Sequence, residues 1–384
     1  VDASLQEELD RRASAGLLRR RRMLDGPQGV HVRVDGREVL SFCSNDYLGL
    51  ASHPALIQAV QAAATQAGVG SGASHLITGH HRLHHTLEQA LARFIGLPRA
   101  LLFSTGYMAN LGMVTALAGR GDALFVDRLN HASLNDAALL SRARLRRYPH
   151  ADLAALERLL ATTPARRKLV VTDTVFSMDG DLAPLPELLA LCERHDAWLV
   201  LDDAHGFGVL GAQGRGSLWH FGLRQPRIVY MATLGKAVGV AGAFVAGEEV
   251  LIESLLQNAR TYVYTTAQPP LLSAAVLAAL ELIEREDWRR ARLHELIQAL
   301  RAELRLRHWR LADSTTPIQP LIIGSNEAAV EASARLLERG LLVPAIRPPT
   351  VPQGSARLRI SLSAAHTLED VARLTHALGE IERP

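Results

Sequence analysis

Residues 198–206 read Trp198-Leu199-Val200-Leu201-Asp202-Asp203-Ala204-His205-Gly206. A short apolar run closed by acids and glycine has the form of a strand buried on both faces. Asp202 falls at the end of that strand, where an unpartnered carboxylate is costly. It either caps the turn that follows or meets a cationic N–H brought by a ligand. A second acid and a histidine in the next three residues favour the ligand.

Outward from this stretch, similar runs recur at Ala100–Phe103, Ala123–Val126, Leu169–Asp173, Ile228–Ala232 and Ala243–Ala246, each bounded by Gly, Asp, Ser or Thr. Helical patterns such as Leu185–His195 lie between many of them. The alternation predicts an α/β fold around a mostly parallel sheet, with a site at the carboxyl ends of its strands. Residues 2–22 read as a helix with a basic end, Arg19-Arg20-Arg21-Arg22. Residues 30–42 alternate like a hairpin, and 268–308 read as one long helical region. Beyond it the pattern is strand (Ile318–Ile323), helix (326–339), strand (Leu342–Ile346), strand (Leu358–Leu362) and helix (367–381), a smaller α+β part. The expected division is an N-terminal segment 1–50, a large α/β domain 51–270, and a linking helix with the smaller domain 271–384.

The 384 residues suffice for two such domains. Forty-two basic residues against 39 acidic give a net charge of +3, which speaks against a nucleic-acid binder. The apolar runs are too short or too interrupted to span a bilayer, and the polar start has no signal-peptide form. Cys43 and Cys192 are far apart and lack metal-ligand spacing, so the reading is a reduced, cytoplasmic protein with no metal site. Gly68-Val69-Gly70-Ser71-Gly72 resembles part of a dinucleotide fingerprint but follows a helical stretch, so a Rossmann site is rejected.

Of the 42 basic residues only two, Lys168 and Lys236, are lysines. A lysine amine can lose its proton and attack a carbonyl, which arginine cannot do. Lys168, in Arg166-Arg167-Lys168 before a strand, reads as a solvated charge. Lys236, in Thr233-Leu234-Gly235-Lys236-Ala237-Val238-Gly239, sits on a small-residue turn after an apolar strand. There it suits a Schiff base with pyridoxal 5'-phosphate (PLP). That cofactor also needs a carboxylate at its ring nitrogen, a group on the ring face, and hydroxyls and amides for its phosphate. Asp202 is the carboxylate, and His205 suits the phenolic oxygen. The strand-to-helix turn Ser104-Thr105-Gly106-Tyr107 offers first-turn amides, with Thr233 as an added hydroxyl. His131, in Asn130-His131-Ala132-Ser133, is the ring-face candidate, although a lone histidine among 16 is more often structural. Ser177 follows another strand and suits the cofactor or its histidine partners.

Taken in order, Asn45-Asp46-Tyr47-Leu48-Gly49, Gly70-Ser71-Gly72, Asn130-His131-Ala132-Ser133, Phe176-Ser177-Met178-Asp179-Gly180-Asp181, Asp202-Asp203-Ala204-His205-Gly206 and Thr233-Leu234-Gly235-Lys236 resemble the α-oxoamine synthase family of PLP enzymes, over effectively the whole chain. The resemblance implies the fold type I of PLP-dependent transferases. The activity implied is condensation of an amino acid with an acyl-CoA thioester, releasing CoA and carbon dioxide. It also implies a homodimer with shared active sites. Within the family, Ile346-Arg347-Pro348-Pro349-Thr350-Val351-Pro352 and Ala356–His366 look like the member that joins L-alanine to pimeloyl-CoA in biotin biosynthesis. On that likeness Arg347 clamps the amino-acid carboxylate, and Thr350 and Asn45 are substrate positions. Arg19 lies near the acyl-CoA, His131 also meets the acyl carbonyl, and Thr265 or Thr266 reaches the partner's PLP phosphate. Phe207, where a smaller residue is common, would alter the pocket wall, and Ala241-Gly242 replaces a frequent Gly-Gly. The alternatives are family members with other amino acids and acyl chains, and, in another class, a non-catalytic regulator or binding module on the same fold.

Overall fold

The computed structural model describes residues 3–15, 17–19 and 21–382. The chain divides into two compact units, one formed by residues 1–45, 178–180 and 292–384, the other by 46–177 and 181–291. Among the described residues no helix is long and apolar enough to cross a membrane.

The larger unit is built on a seven-stranded sheet in the order Arg99–Phe103, Ala243–Gly247, Ile228–Thr233, Ala197–Asp202, Lys168–Asp173, Ala123–Asp127, Arg144–Tyr148. The last five run parallel in register. Val170, Val200 and Val229 from the middle strands are all buried, as a sheet covered on both faces requires. Arg144–Tyr148 escaped the sequence reading because Arg144, Arg146 and Arg147 interrupt it. It is an edge strand, and charge there blocks pairing with another chain.

Ala243–Gly247 runs antiparallel to both neighbours, with Ala243 opposite Phe103 on one side and Thr233 on the other. The carboxyl ends of those two neighbouring strands are therefore level. Turns 104–105 and 234–242 leave the sheet at one edge.

The smaller unit carries two four-stranded sheets. In one, His31–Val34 and Arg37–Ser41 form the expected hairpin, closed by Asp35 and Gly36 at positive φ as a two-residue hairpin turn demands. In the other, Ile318–Gly324 pairs with Ala356–Ser361. Helices Asn326–Glu338 and Leu368–Ile381 begin at Ser325 and Thr367 caps.

Three boundaries differ from the sequence expectation. Among the described residues the first helix is Ala3–Ser14 and stops short of the expected end at 22, with Ser14 Oγ turning back to Asp10 O. Of its expected basic end, Arg20 lies outside the described residues. The region 268–308 is two helices, Pro270–Arg285 and Asp287–Glu303, broken at Glu286. The single strand at 342–346 is two short ones, Leu341–Leu342 and Ala345–Ile346, in different sheets. Pro344, which has no N–H to give a ladder, lies between them.

Candidate active site

Lys236 sits in the tight turn joining Ile228–Thr233 to Ala243–Gly247. Leu234 N donates to Gly242 O, Val240 N to Leu234 O, and Gly239 N to Lys236 O. Gly239 has φ +76°, and a Cβ there would lie 2.6 Å from Ala51 N, so only glycine lets this turn close onto residues 50–51. That backbone is itself fixed by Asp46, whose carboxylate accepts from Leu50 N and Ala51 N. One residue on, Tyr47 is fully buried, and its hydroxyl meets His205 Nδ1 at 2.7 Å. His205 Nε2 in turn lies 2.9 Å from Lys236 Nζ. Tyr47, His205 and Lys236 thus form one hydrogen-bonded row that ends on the amine.

Asp202 is 4% exposed at the carboxyl end of its strand. Its Oδ1 accepts from Ala204 N and its Oδ2 from Asn110 Nδ2 at 2.7 Å. Asn110 Nδ2 also donates to Ser133 Oγ at 2.8 Å, and Ser133 Oγ lies 2.7 Å from His131 Nδ1. One amide thus ties the carboxylate to the histidine loop. His131 N donates to Asp173 Oδ2 at 2.7 Å, and its ring caps the helix Ala132–Leu140 by accepting from Ser133 N. Burial lowers the His131 pKa; the Asp202 carboxylate opposes the shift and the Lys236 amine adds to it. The charges felt at His131 include those of the proposed cofactor carboxylate and amine, with the Asp136 carboxylate also opposing the shift, and the net effect favours the neutral imidazole.

The neighbouring acid does something else. Asp203 is fully buried and held by Thr174 Oγ1, Tyr230 Oη and Ser217 N. Burial raises its pKa to about 6. It welds the strand ends together beneath the site.

At the same edge the helix Gly106–Leu117 starts directly after the strand Arg99–Phe103, capped by Thr105. A Cβ on Gly106 would stand 3.8 Å from Thr233, so the helix start and the Thr233 hydroxyl face one small space. First-turn amides, a dipole end and hydroxyls suit a phosphate. Thr233 Oγ1 donates to Gly242 O and accepts from Gly235 N, which fixes it in place. Tyr107 is exposed, with its hydroxyl on Asp136. Ser177 follows the strand Lys168–Asp173, where the bridge between Val175 and Leu182 narrows the loop. An amine, a strand-end carboxylate, a neutral imidazole and an amide-rich turn are the donor set PLP requires, and these residues fit it.

Lys168 lies apart from this set: its Nζ donates to Leu160 O, a structural contact. Thr266 is exposed on the loop before Pro270–Arg285. In the smaller unit Arg19 is exposed, Asn45 Oδ1 accepts from Arg359, and Arg347 and Thr350 share a turn closed by Thr350 N to Arg347 O. Phe207 is only 1% exposed. It is buried edge-on against Phe94 and Phe244, so the bulk expected at the site wall fills the core. Three residues with clear positions here went unassigned in the sequence. Tyr47 stood inside a quoted motif without a role, and Asn110 lies three residues beyond the quoted turn at Ser104–Tyr107. Asp173 closed a predicted strand just as Asp202 did, and that parallel was the available signal.

The profile of the family described as aminotransferase class I and II matches residues 37–378. The 8-amino-7-oxononanoate synthase of Methylobacillus flagellatus is 66% identical over 379 residues, covering 99% of this chain and 96% of that protein. The enzyme of the same name from Nitrosomonas europaea is 64% identical, with 99% of each chain covered. Among solved structures, a serine palmitoyltransferase from S. paucimobilis with a bound PLP–myriocin aldimine superposes with a TM-score of 0.92 at 30% identity, covering 99% of this chain and 96% of that one. An 8-amino-7-oxononanoate synthase from Francisella tularensis gives 0.77 at 32%, covering 89% and 97%. With these relatives, and the lysine, carboxylate and histidine gathered at one sheet edge, the chain belongs to the α-oxoamine synthases within the aminotransferase class I and II family.

Proposed function

We propose that this protein condenses L-alanine with pimeloyl-CoA, or another pimeloyl thioester, to give 8-amino-7-oxononanoate, the free thiol and carbon dioxide, a step of biotin biosynthesis. The observation that carries the reading is identity of 64–66% over nearly the whole length to synthases of that name. The higher TM-score to a serine palmitoyltransferase favours a second reading, an amino acid and acyl chain of another kind. At 30% identity, however, backbone likeness reports the fold the branch shares, and substrate choice resides in side chains.

When bound, PLP supplies a conjugated ring that takes up negative charge from the attached substrate carbon. Lys236 carries the cofactor, and its amine, once alanine has displaced it, takes the alanine Cα proton at Nζ and later returns it. His205, 2.9 Å away and backed by Tyr47, orients that amine. Asp202 holds a proton at the ring nitrogen. His131, neutral, covers the ring face, and its Nε2–H, left by an Nδ1 that accepts from Ser133 N, stabilises charge on the thioester oxygen. Gly106, Tyr107, Thr233 and Ser177 complete the cofactor contacts. Arg347 clamps the alanine carboxylate with two parallel donors, with Asn45 and Thr350 beside the substrate and Arg19 toward the acyl-CoA. Thr266, exposed in a single chain, serves the phosphate of a second copy in a homodimer. Free thiols at Cys43 and Cys192 suit a reducing cytoplasm.

The test is an assay of the PLP-loaded protein with alanine, glycine or serine against pimeloyl-CoA, acetyl-CoA or palmitoyl-CoA, following thiol release and product mass. Preference for alanine with pimeloyl-CoA is expected. A better rate with serine and palmitoyl-CoA would overturn the reading.

A further inference from the structure

The sequence around residues 75–88 is rich in histidine, and none of it enters the site above. His75, His80, His84, His85 and Glu88 lie within and just before the helix Arg82–Ile95, and His80, His85 and Glu88 line a cavity of about 410 Å³. The donor atoms of two trios, His75/His80/His84 and His80/His85/Glu88, lie within 4.8 Å of one another. Hydrogen bonds separate the two. His84 uses both ring nitrogens: Nδ1 accepts from His81 N and Nε2 donates to Gln268 O. It has no lone pair left for an ion.

The second trio differs. Glu88 has a side chain only 13% exposed, and one carboxylate oxygen accepts from Leu102 N. The other faces His80 Nε2 at 4.0 Å, too far for a hydrogen bond. The nearby guanidinium in the cavity wall, Arg99, is already paired with Glu253 at 2.7 Å. A half-buried carboxylate and an imidazole nitrogen thus face each other across a gap. Tetrahedral bonds of about 2.0–2.2 Å would set the two about 3.3–3.6 Å apart, so a side-chain shift of about half an ångström seats an ion between them. His85 precedes Glu88 by three positions, on the same helix face. Its Nε2 meets the side-chain amide of exposed Gln89 at 3.0 Å, a contact an ion can displace. His80 Nδ1 lies 2.9 Å from His75 Nδ1, and His75 is stacked on Tyr262 with ring centroids 4.9 Å apart. With the hydrogen on His80 Nδ1, its Nε2 is left bare and aimed at Glu88, the arrangement by which an outer partner sets a ligand's tautomer.

We propose that His80, His85 and Glu88 bind a divalent transition ion of the zinc class, with cavity water as the remaining ligand. The donor set of two imidazoles and a carboxylate suits such an ion. Held there, it would tie the segment around His80 to the first turns of the helix. The proposal stands apart from the reaction assigned above.

The experiment is calorimetric titration of the PLP-loaded protein with Zn²⁺, repeated with Co²⁺ read by visible absorption, on wild type, Glu88→Gln, the double variant His80→Ala/His85→Ala, and the control His376→Ala at an exposed histidine. One ion per chain is expected in wild type and control, with affinity lowered roughly ten-fold or more in Glu88→Gln and lost in the double variant. PLP content and far-ultraviolet circular dichroism report whether each variant is folded, and Glu88→Gln, close in shape, decides if the double variant is not. No Zn²⁺ binding by wild type, or equal affinity in wild type and Glu88→Gln, would overturn the site.

Discussion

Asp173 and Asp202 are register partners at the carboxyl ends of two adjacent parallel strands, and both are buried. Burial first, and the Asp202 charge second, push the Asp173 pKa well above its ordinary value. Asp173 thus holds its proton more tightly than an ordinary carboxyl, while its Oδ2 accepts from His131 N.

Asp173→Asn should therefore keep activity within several-fold, while Asp202→Asn should lose most of it and still bind PLP. The folded chain keeps the Asp173 proton at pH values where the unfolded chain, with a carboxyl near 3.9, has lost it. Stability from this group falls as pH rises above about 4. Asp173→Asn should melt higher than wild type at neutral pH, with the gap closing in acid. A lower melting point at neutral pH would mean that Asp173 is charged.

Tyr47→Phe removes the 2.7 Å hydrogen bond between the Tyr47 hydroxyl and His205 Nδ1. Loss of that bond should cost about 0.5–1.5 kcal/mol of stability. The turnover number should drop with little change in the alanine KM. An unchanged pH profile of turnover would show that the row ending on Lys236 does not tune the amine.

Lys236→Arg keeps the charge but cannot deprotonate near neutral pH, so turnover should vanish. Borohydride should fix the cofactor to residue 236 in wild type, and peptide mapping locates it. Attachment at Lys168 would reject the assignment.

Arg347→Lys replaces a two-pronged donor with a point charge. A charge-assisted hydrogen bond is worth about 1.5–3 kcal/mol, so alanine should bind about ten-fold more weakly or worse, with PLP affinity unchanged. Normal alanine affinity with a large fall in melting temperature would make Arg347 structural.

His150 sits between Asp127 and Asp181, with ring nitrogens 3.1 Å and 2.8 Å from their oxygens. Burial opposes its charge, but the two carboxylates prevail and raise its pKa to about 10 from 6.5. Its stabilisation is complete below about pH 6.5 and disappears as pH climbs to 10. His150→Gln should lower the melting temperature markedly at pH 6 and little at pH 10, and a constant difference would refute the charged state.

The buried strands were legible because apolar runs ending in acids admit few other structures. Lys236 stood out because its neighbours in composition are arginines. Asn110 was not legible as a tie, because a helix residue shows its partner only once Asp202 and Ser133 are brought beside it from 92 and 23 positions away. The strand Arg144–Tyr148 was hidden by the charges that protect it. Phe207 was misjudged because sequence places a residue beside a motif without saying which way its side chain turns. Arg347, Thr350, Arg19 and Asn45 rest on resemblance, since no local pattern marks an arginine as a carboxylate clamp.

The scarcity of lysine, with Lys168 held on Leu160 O, bears on how this chain meets reactive carbonyl compounds. Aldehydes and sugars that modify proteins attack unprotonated primary amines, and a lysine-rich surface offers them many decoy targets. Here, apart from the amino terminus, the side-chain amines are only two, Lys236 and Lys168, each half-buried. An aldehyde in short supply is not diluted over the surface, and in the cofactor-free protein amine-directed reagents should inactivate at only a few labels per chain.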